Sequence, residues 1–561
     1  MEDENRFLKY WIIVGVVVIL VLAVFPGRSV YRHFKEKHGV EQARAFLARG
    51  DYRNAFLSVR QAWMVNSNNV EVCRIMAELN YAAHSPATLD WCQRLVKLSP
   101  AITNKLLLAS AGLQFQGPPY PLTTQVLDDL SASAAGMPEF QIASAELDMN
   151  LHRLAEAEAH FEAACRLEPT NRTFQLNLAV IRLSSTNAAA ADDARAELKH
   201  YSTDAKLGPA ALRSLIADRL IHNDAGGALD YSKQLMAGGQ AGMEDRLQNL
   251  GILKTMQSPA LAGQLSALQR DAATNAAMAA QTVSWMEASG FTSEAVRWLG
   301  TLPATVQAQN PVRLAFVDCY LNTTNWQGLR KLTTGGDWGE LDFLRLAFSS
   351  RAWSELGETT VADGHWRSAV SEAGERLSAL AALLDLADRW QLTREQEDLL
   401  WRILRGFPDA RWAQISLERL YFNDGNTAGL YQLYLKQLPR LPQDAALKNN
   451  LAATALLLKT NLTQACQWAA EVHAQTTNNP TFVATYAYAL HLQGRDKDGL
   501  ATMQQLKPAQ LQQPTVALYY GVLLRATGQS TEAALYLALA KNGGGLLPEE
   551  QQLLTANGDK K

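Results

Sequence analysis

The sequence predicts an all-α protein in which one N-terminal transmembrane helix precedes a long solenoid of helical hairpins. Its 561 residues exceed the roughly 250–300 residues at which a single compact core stops growing, so we expect several domains or an elongated array. An uncharged run near the N-terminus predicts the membrane helix. Amphipathic segments that share a common period predict the solenoid.

The composition narrows the class of protein. The chain has 52 basic and 55 acidic residues, a formal net charge of −3, and 48% hydrophobic residues. Because there is no net positive field to hold phosphates, we do not expect it to bind nucleic acid. Its cysteines are too few and too scattered for a disulfide scaffold or a zinc ribbon, and we interpret them as small core residues: Cys73, Cys92, Cys165, Cys319 and Cys466.

The first element is the membrane anchor. Residues 10–27 read YWIIVGVVVILVLAVFPG, 18 residues without a charge, between Lys9 and Arg28. As a helix this run is about 27 Å long, close to the hydrocarbon thickness of a bilayer. The absence of a small-residue cleavage site disfavours a signal peptide. We therefore expect residues 1–37 to form an anchor with a basic collar.

The charges beside the span predict its orientation. Two basic side chains precede the run and four follow it before residue 38. The positive-inside rule then places the large C-terminal part in the cytoplasm, beneath an inner membrane. The periplasmic face is the alternative.

The repeat period comes from glycines and prolines at fixed spacings. Gly494 and Gly528 are 34 residues apart, and Gly425 lies 69 residues before Gly494. Pro100 and Pro169 are also 69 residues apart, about two units. Glycine suits the turn inside a hairpin, and proline ends one helix and begins the next.

Small and large residues alternate at matching places in these units. Ala157, Ala533 and Gly521 predict close approach of the two helices of a hairpin, and Phe161 and Tyr520 predict the side chains that fill the groove between them.

These landmarks resemble the tetratricopeptide repeat (TPR) family, whose helix–turn–helix unit has 34 residues. The match covers residues 39–100, 138–182 and 411–541 and is degenerate elsewhere. The resemblance implies a right-handed superhelical solenoid that binds proteins. We divide the chain after the anchor into three blocks: an N-terminal TPR-like block (38–205), a divergent helical block (206–340) and a C-terminal TPR-like block (341–561).

A terminal cap helix is predicted at 546–558. Pro548 suits its first turn with Glu549 and Glu550, and Asn557-Gly558 would end it. We expect the two glutamates to lie on a solvated face.

The resemblance also implies a candidate peptide-binding site. Asn177 and Asn450 each precede a Leu-Ala pair of a first helix, and the matching places in later units hold Thr485 and Tyr519. In TPR superhelices like those of O-GlcNAc transferases, asparagines at that position line the inner surface and bind a peptide backbone. The alternative is that these asparagines make a local polar contact.

Motifs for catalysis, cofactors and metals are not found in the sequence. No phosphate-binding glycine loop or nucleophile elbow occurs. His152 and His160 lie eight residues apart, but His152 falls in a predicted turn, so the pair is not expected to bind a metal. We expect no enzyme activity, no cofactor and no small-molecule substrate.

Tryptophans are concentrated in the middle of the chain. Nine of the thirteen lie within residues 285–412, and we interpret them mainly as core packing, with a partner-binding face as the alternative. A rival from another class is an α/α-toroid-like polysaccharide-active enzyme or carbohydrate-binding protein. Its tryptophans would be sugar platforms and its acid Asp337, Glu340 or Asp342.

The sequence thus predicts a membrane-tethered scaffold that binds peptide segments or helices of partner proteins on the concave face of the solenoid. Its layout resembles the anchored TPR proteins of bacterial envelope assembly.

Overall fold

The computed structural model of the protein describes residues 33–555. Within that range the chain is a succession of α-helices with one short 3₁₀ helix and no β-strand. The predicted membrane helix at 10–27 and the predicted helix end at Asn557-Gly558 lie outside the described residues. Among the helices that are described, none has both the length and the apolarity needed to cross a bilayer.

The chain forms two compact units that divide between Gly290 and Phe291, a boundary inside the predicted block 206–340. Unit 1 (residues up to Gly290) contains helices that mostly run for 11–14 residues. Its helices are α1 (33–47), α2 (Tyr52–Val65), α3 (Val70–Ala82), α4 (Ala87–Leu98), α5 (Ile102–Phe115), α6 (Pro121–Ala134), α7 (Pro138–Asn150), α8 (Leu154–Leu167), α9 (Arg172–Arg182), α10 (Ala188–Tyr201), α11 (Gly208–Ile221), α12 (Ala225–Ala237), α13 (Met243–Thr255), α14 (Ala260–Ala272) and α15 (Ala276–Ala288).

Unit 2 (from Phe291) contains helices of similar length together with several short ones. They are α16 (Thr292–Leu299), α17 (Ala304–Gln307), α18 (Asn310–Asn322), α19 (Trp326–Thr333), the 3₁₀ helix (Gly339–Leu341), α20 (Asp342–Glu355), α21 (Thr359–Ala373), α22 (Leu377–Arg389), α23 (Thr393–Gly406), α24 (Arg411–Asn423), α25 (Thr427–Gln437), α26 (Ala445–Leu457), α27 (Leu462–Gln475), α28 (Pro480–Leu492), α29 (Asp496–Met503), α30 (Pro508–Leu511), α31 (Pro514–Ala526), α32 (Ser530–Gly543) and α33 (Pro548–Thr555).

The predicted hairpin turns are confirmed. Gly425, Gly494 and Gly528 each lie between two helices with φ of 63°, 75° and 88°, the left-handed region that glycine enters without a steric penalty. His152 also lies in a turn, with φ of 59°, as the period predicts. The 34-residue spacing therefore corresponds to one helix–turn–helix unit.

Close approach of the two helices in a hairpin is confirmed as well. A Cβ added to Gly521 on α31 would lie 2.8 Å from Leu537 Cγ on α32. Ala157 and Phe161 are buried on α8, and Tyr520 packs edge-to-face on Tyr536 with ring centroids 4.7 Å apart. Small residues open the groove and aromatic residues fill it.

Within each unit the helices contact their neighbours in the chain. The strongest contacts join the two helices of a hairpin, and the first helices of successive hairpins also touch, as for α5 with α7, α26 with α28 and α28 with α31. One apolar core runs through unit 2 from Val317 to Leu547, whereas unit 1 contains several smaller clusters. Serial stacking of this kind is the organisation of a repeat array.

The tryptophans of residues 285–412 take part mainly in packing. Trp338 and Trp366 are buried, and Trp326, Trp390 and Trp401 pack against the core of unit 2. Trp412 differs, because 43% of its surface is exposed.

Candidate functional site

Three of the four candidate residues line one cavity in unit 2. Asn450 on α26, Thr485 on α28 and Tyr519 on α31 surround a space of about 250 Å³ that also reaches Glu418 on α24. We call this space the α24–α31 groove. The three residues are 35 and 34 residues apart in sequence, so the repeat period places them on the same face of successive first helices.

The remaining candidate, Asn177, is half-buried on α9 in unit 1. It therefore does not line the α24–α31 groove, and the geometry of that groove gives no support to a peptide-binding role for Asn177.

Local sequence sets where each groove helix begins. Asp444 caps α26 by accepting a hydrogen bond from the backbone N–H of Leu447 at 3.0 Å, and Asn479 caps α28 in the same way. Pro514 occupies the first turn of α31, where its missing N–H is not needed. These caps fix the residue at which each of the three helices begins.

The polar end of the groove lies around Asn450. The hydroxyl of Tyr434 donates a hydrogen bond to Glu418 Oε1 and also interacts with the side chain of Asn450. Burial, together with the bond to Glu418, raises the pKa of Tyr434 well above its usual range. The phenol is therefore neutral near pH 7 and acts as a hydrogen-bond donor.

Asn449 is a groove residue that the sequence patterns did not single out. It lines the cavity beside Asn450 and is 2% exposed. Within residues 33–555, no group donates a hydrogen bond to its Oδ1. Its one sequence signal is the doubled asparagine before the Leu-Ala pair.

Thr485 and Tyr519 are both deeply placed. Thr485 is 3% exposed, and its hydroxyl donates to the carbonyl of Thr481 at 3.0 Å, which leaves its oxygen free to accept. Tyr519 is 3% exposed and stacks on Tyr488 with ring centroids 4.7 Å apart. Its hydroxyl donates to Glu550 Oε1 at 2.8 Å.

The segment of residues 544–555 closes one side of the groove. Its helix α33 begins at Pro548 with Glu549 and Glu550 in the first turn, as predicted for the terminal cap. The expectation that both glutamates are solvated is wrong, because Glu550 is 5% exposed. Packing of α33 against α31 buries it, and desolvation raises the pKa of its carboxyl.

The other candidates for chemistry lie in ordinary structural contacts. His160 interacts with Gln141 at 2.6 Å and with Asp148 at 3.7 Å. In the described part of the chain, no group of three or more metal-ligating side chains comes together. The carboxylate of Asp342 accepts from Arg345 at 2.6 Å, and that bond lowers its pKa.

Comparisons with known proteins give distant structural likenesses. No protein-family model matches the chain, and no curated protein matches it. A solved structure of PilW, described as a widely conserved type IV pilus biogenesis factor, is 18% identical, covers 42% of this chain and 92% of its own, and has a TM-score of 0.26.

Two further solved structures are similarly distant. The APC/C hetero-tetramer Cut9–Hcn1 is 11% identical, with coverage of 91% and 96% and a TM-score of 0.28. A tetratricopeptide repeat protein from Parabacteroides merdae is 14% identical, with coverage of 43% and 96% and a TM-score of 0.25. Likenesses of this size identify no partner and no activity. In its succession of helical hairpins, described above from its own helices and turns, this chain is similar to tetratricopeptide repeat proteins.

Proposed function

We propose that the protein is a membrane-tethered scaffold that binds segments of partner proteins in the α24–α31 groove. The observation that carries the proposal is the unpartnered Oδ1 of Asn449 in a cavity that Asn450 and Thr485 also line. A buried acceptor without a donor is unfavourable, and a bound backbone N–H would satisfy it.

The chemistry of the groove suits a polypeptide main chain. Amide side chains both donate and accept hydrogen bonds, so they match N–H and C=O groups without requiring a particular sequence. Leu457 and Ala484 supply apolar lining beside these groups. Such a mixture favours an extended segment or a helix of a protein partner over a charged small molecule.

The proposed tether is the apolar run at 10–27, which anchors the chain to an inner membrane with its large part in the cytoplasm. The periplasmic face is the alternative. Confinement to a membrane raises the effective concentration of partners held there, which suits a scaffold in bacterial envelope assembly. We propose no catalysis, no cofactor and no nucleic-acid partner.

Site-specific photocrosslinking tests the groove. A photoreactive amino acid is placed at Ala453, which lines the cavity, or at Gln464, which is exposed on the second helix α27, in the full chain in its native membrane. We expect crosslinked protein partners from position 453 and loss of those adducts on Asn450→Ala. Equal adducts from both positions, or adducts unaffected by Asn450→Ala and Asn449→Ala together, would refute the groove.

A reporter fused after Lys561 tests the orientation. We expect fluorescence from a reporter that folds in the cytoplasm and no activity from an alkaline phosphatase that needs the periplasm. Phosphatase activity would overturn the orientation and leave the groove proposal standing.

The polysaccharide-active alternative has less support. A glycosidase acid needs a raised pKa, whereas Arg345 lowers the pKa of Asp342. Trp338, the tryptophan nearest in sequence to these acids, is 2% exposed and cannot offer its face to a sugar. Release of reducing ends from peptidoglycan or another polysaccharide by the purified chain would revive this alternative.

A further inference from the structure

Residues 544–555, which close the α24–α31 groove, contact parts of the chain far from them in sequence. The hydroxyl of Thr427, 122 residues earlier, donates to Glu549. Pro548 packs on the turn before α25, where its Cγ lies 2.9 Å from the position of a Cβ on Gly425. The segment therefore crosses from the last hairpin to the edge of α25, three hairpins back.

Uncharged groups hold both carboxylates of the segment. Glu550 accepts from the hydroxyl of Tyr519 at 2.8 Å and from the backbone N–H of Leu547 at 2.9 Å, and Glu549 accepts from Thr427. A buried carboxylate without a cationic partner loses hydration that such bonds restore in part. Burial accordingly raises the pKa of Glu550, so ionisation of this carboxyl opposes docking of the segment. Arg525 on α31 supports the docking by donating a hydrogen bond to the carbonyl of Leu553 at 2.8 Å.

The connection to α32 allows the segment to leave. Gly544 and Gly545 have φ of 67° and 69°, and no atom lies within 4 Å of a Cβ built on either. Glycines in open space rotate freely. The segment can therefore swing away while α32 stays packed on α31.

The docked segment leaves the deep part of the groove unused. A space of about 250 Å³ remains between it and the first helices, and Asn449 Oδ1 receives no donor from it or from the rest of residues 33–555. An incoming segment that reaches Asn449 with an N–H gains a bond that the chain's own segment does not make.

We propose that residues 544–555 are a displaceable self-ligand of the groove, and that its partner is an acidic protein segment that presents leucine and glutamate as Leu547 and Glu550 do, three positions apart at the start of a helix. This inference rests on the proposed function, since it names the chemistry of the partner and adds autoinhibition by the chain itself. The partner displaces the self-ligand by making the same contacts and the additional bond to Asn449.

Peptide binding to the full chain tests the inference. The ligand is a fluorescent peptide of residues 544–555, GGLLPEEQQLLT, and the readout is fluorescence anisotropy. The released variant carries Leu547→Asp with Glu550→Ala, and the matched control carries Gln552→Ala, an exposed position of the same helix. A second variant, Glu549→Ala, removes the bond to Thr427 from the chain's own segment and leaves the groove unaltered.

We expect the released variant to bind the peptide at least about tenfold more tightly than the wild type, since a tethered competitor acts at millimolar effective concentration. Glu549→Ala is expected to lie between the two, Gln552→Ala to match the wild type, and an E550A peptide to bind weakly throughout. Equal affinity of wild type, released variant and Glu549→Ala, all with unchanged circular dichroism, would overturn the inference.

The two proposals fail separately. If the released variant binds the peptide but position 453 gives no partner adducts, the proposed function is refuted and the self-ligand inference is supported. If position 453 gives partner adducts but the variants do not differ in peptide affinity, the self-ligand inference is refuted and the proposed function is supported.

Discussion

Asn449 is the residue at which stability and function are expected to oppose each other. Its side chain is 2% exposed, and its Oδ1 accepts no hydrogen bond from residues 33–555. Leaving such a group unsatisfied costs about 1–3 kcal/mol. Natural sequences retain unfavourable polar groups of this kind at binding sites.

Asn449→Leu is therefore expected to leave the free energy of unfolding unchanged or to raise it by about 1 kcal/mol, while reducing photocrosslinking from position 453. The control is Asn104→Leu in unit 1. Asn104 also has an unpartnered Oδ1, but its Nδ2 donates to the carbonyl of Ser99 at 2.9 Å, so this change is expected to destabilise. Chemical denaturation measures both variants, and a loss of more than about 1 kcal/mol in Asn449→Leu would contradict the interpretation.

Two buried carboxylates in unit 1 have a different environment, since arginines of other helices bind them. Asp218 on α11 is buried and accepts two hydrogen bonds from Arg195 on α10, at 2.9 and 3.0 Å. Asp245 on α13 pairs in the same way with Arg213 on α11. These bonds lower the pKa of both carboxyls.

Arg195→Leu is expected to destabilise unit 1 by roughly 1–3 kcal/mol near pH 7, because it leaves the buried carboxylate of Asp218 without its arginine. The pKa of the Asp218 carboxyl is lowered from its ordinary value of 3.8 in the folded chain. The ion pair with Arg195 therefore contributes its full stabilisation of the folded state above pH 3.8. That contribution is lost as the pH falls through the lower folded pKa.

Urea unfolding measured from pH 7 to pH 3 checks this prediction. The difference between wild type and Arg195→Leu should shrink toward acid pH. Arg166→Leu is the control, since its contact with Glu162 is exposed and 3.6 Å long, and we expect a change below about 0.5 kcal/mol. A difference that grows toward acid pH would contradict the assignment.

At the scale of the element, the hairpin depends on how closely its two helices approach. Gly521 on α31 faces Leu537 on α32, and an added Cβ would lie 2.8 Å from Leu537 Cγ and 3.2 Å from its backbone N. The backbone of α32 limits any relief by side-chain movement. Gly364, in the interior of α21, faces open space instead.

The pair Gly521→Ala and Gly364→Ala separates packing from helix propensity. Gly521→Ala is expected to destabilise by about 1–3 kcal/mol through overpacking. Gly364→Ala is expected to stabilise by about 0.5–1 kcal/mol, because alanine restricts the unfolded chain and meets no neighbour. Thermal unfolding measures both, and equal shifts of the melting temperature would show that the hairpin interface does not require glycine.

At the scale of the whole molecule, the serial contacts within each unit determine how a local change spreads. Most helices contact the helix that follows them in the chain, and the first helix of several hairpins also contacts the first helix of the next hairpin. The apolar core of unit 1 is divided into separate clusters. In such an array, stability is approximately a sum over units and their nearest-neighbour interfaces. Local opening is therefore expected to remain local.

Phe161→Ala tests this expectation in unit 1. Phe161 is 3% exposed and packs with Ala145, Ala157 and Ile181, so its loss should cost about 3–5 kcal/mol. Hydrogen exchange is expected to quicken over α7–α9 and to stay unchanged over α2–α4. Equal acceleration through all of α2–α9 would indicate one cooperative core instead of a serial array.

The sequence alone determined the helices, their period and their turns. Turn glycines such as Gly494 and Gly528, and small residues such as Gly521, act through neighbours within one hairpin, so a local pattern reports them. The period also placed Asn450, Thr485 and Tyr519 at equivalent positions.

Only the tertiary structure decided what meets at those positions. It buried Glu550, contrary to the surface expected from a pair of glutamates, and it placed Glu549 against Thr427, 122 residues away. Contacts of that separation depend on the rotation and translation accumulated over several stacked hairpins. No local pattern records that accumulated displacement, because the landmarks within one repeat report only its own hairpin and its nearest neighbours.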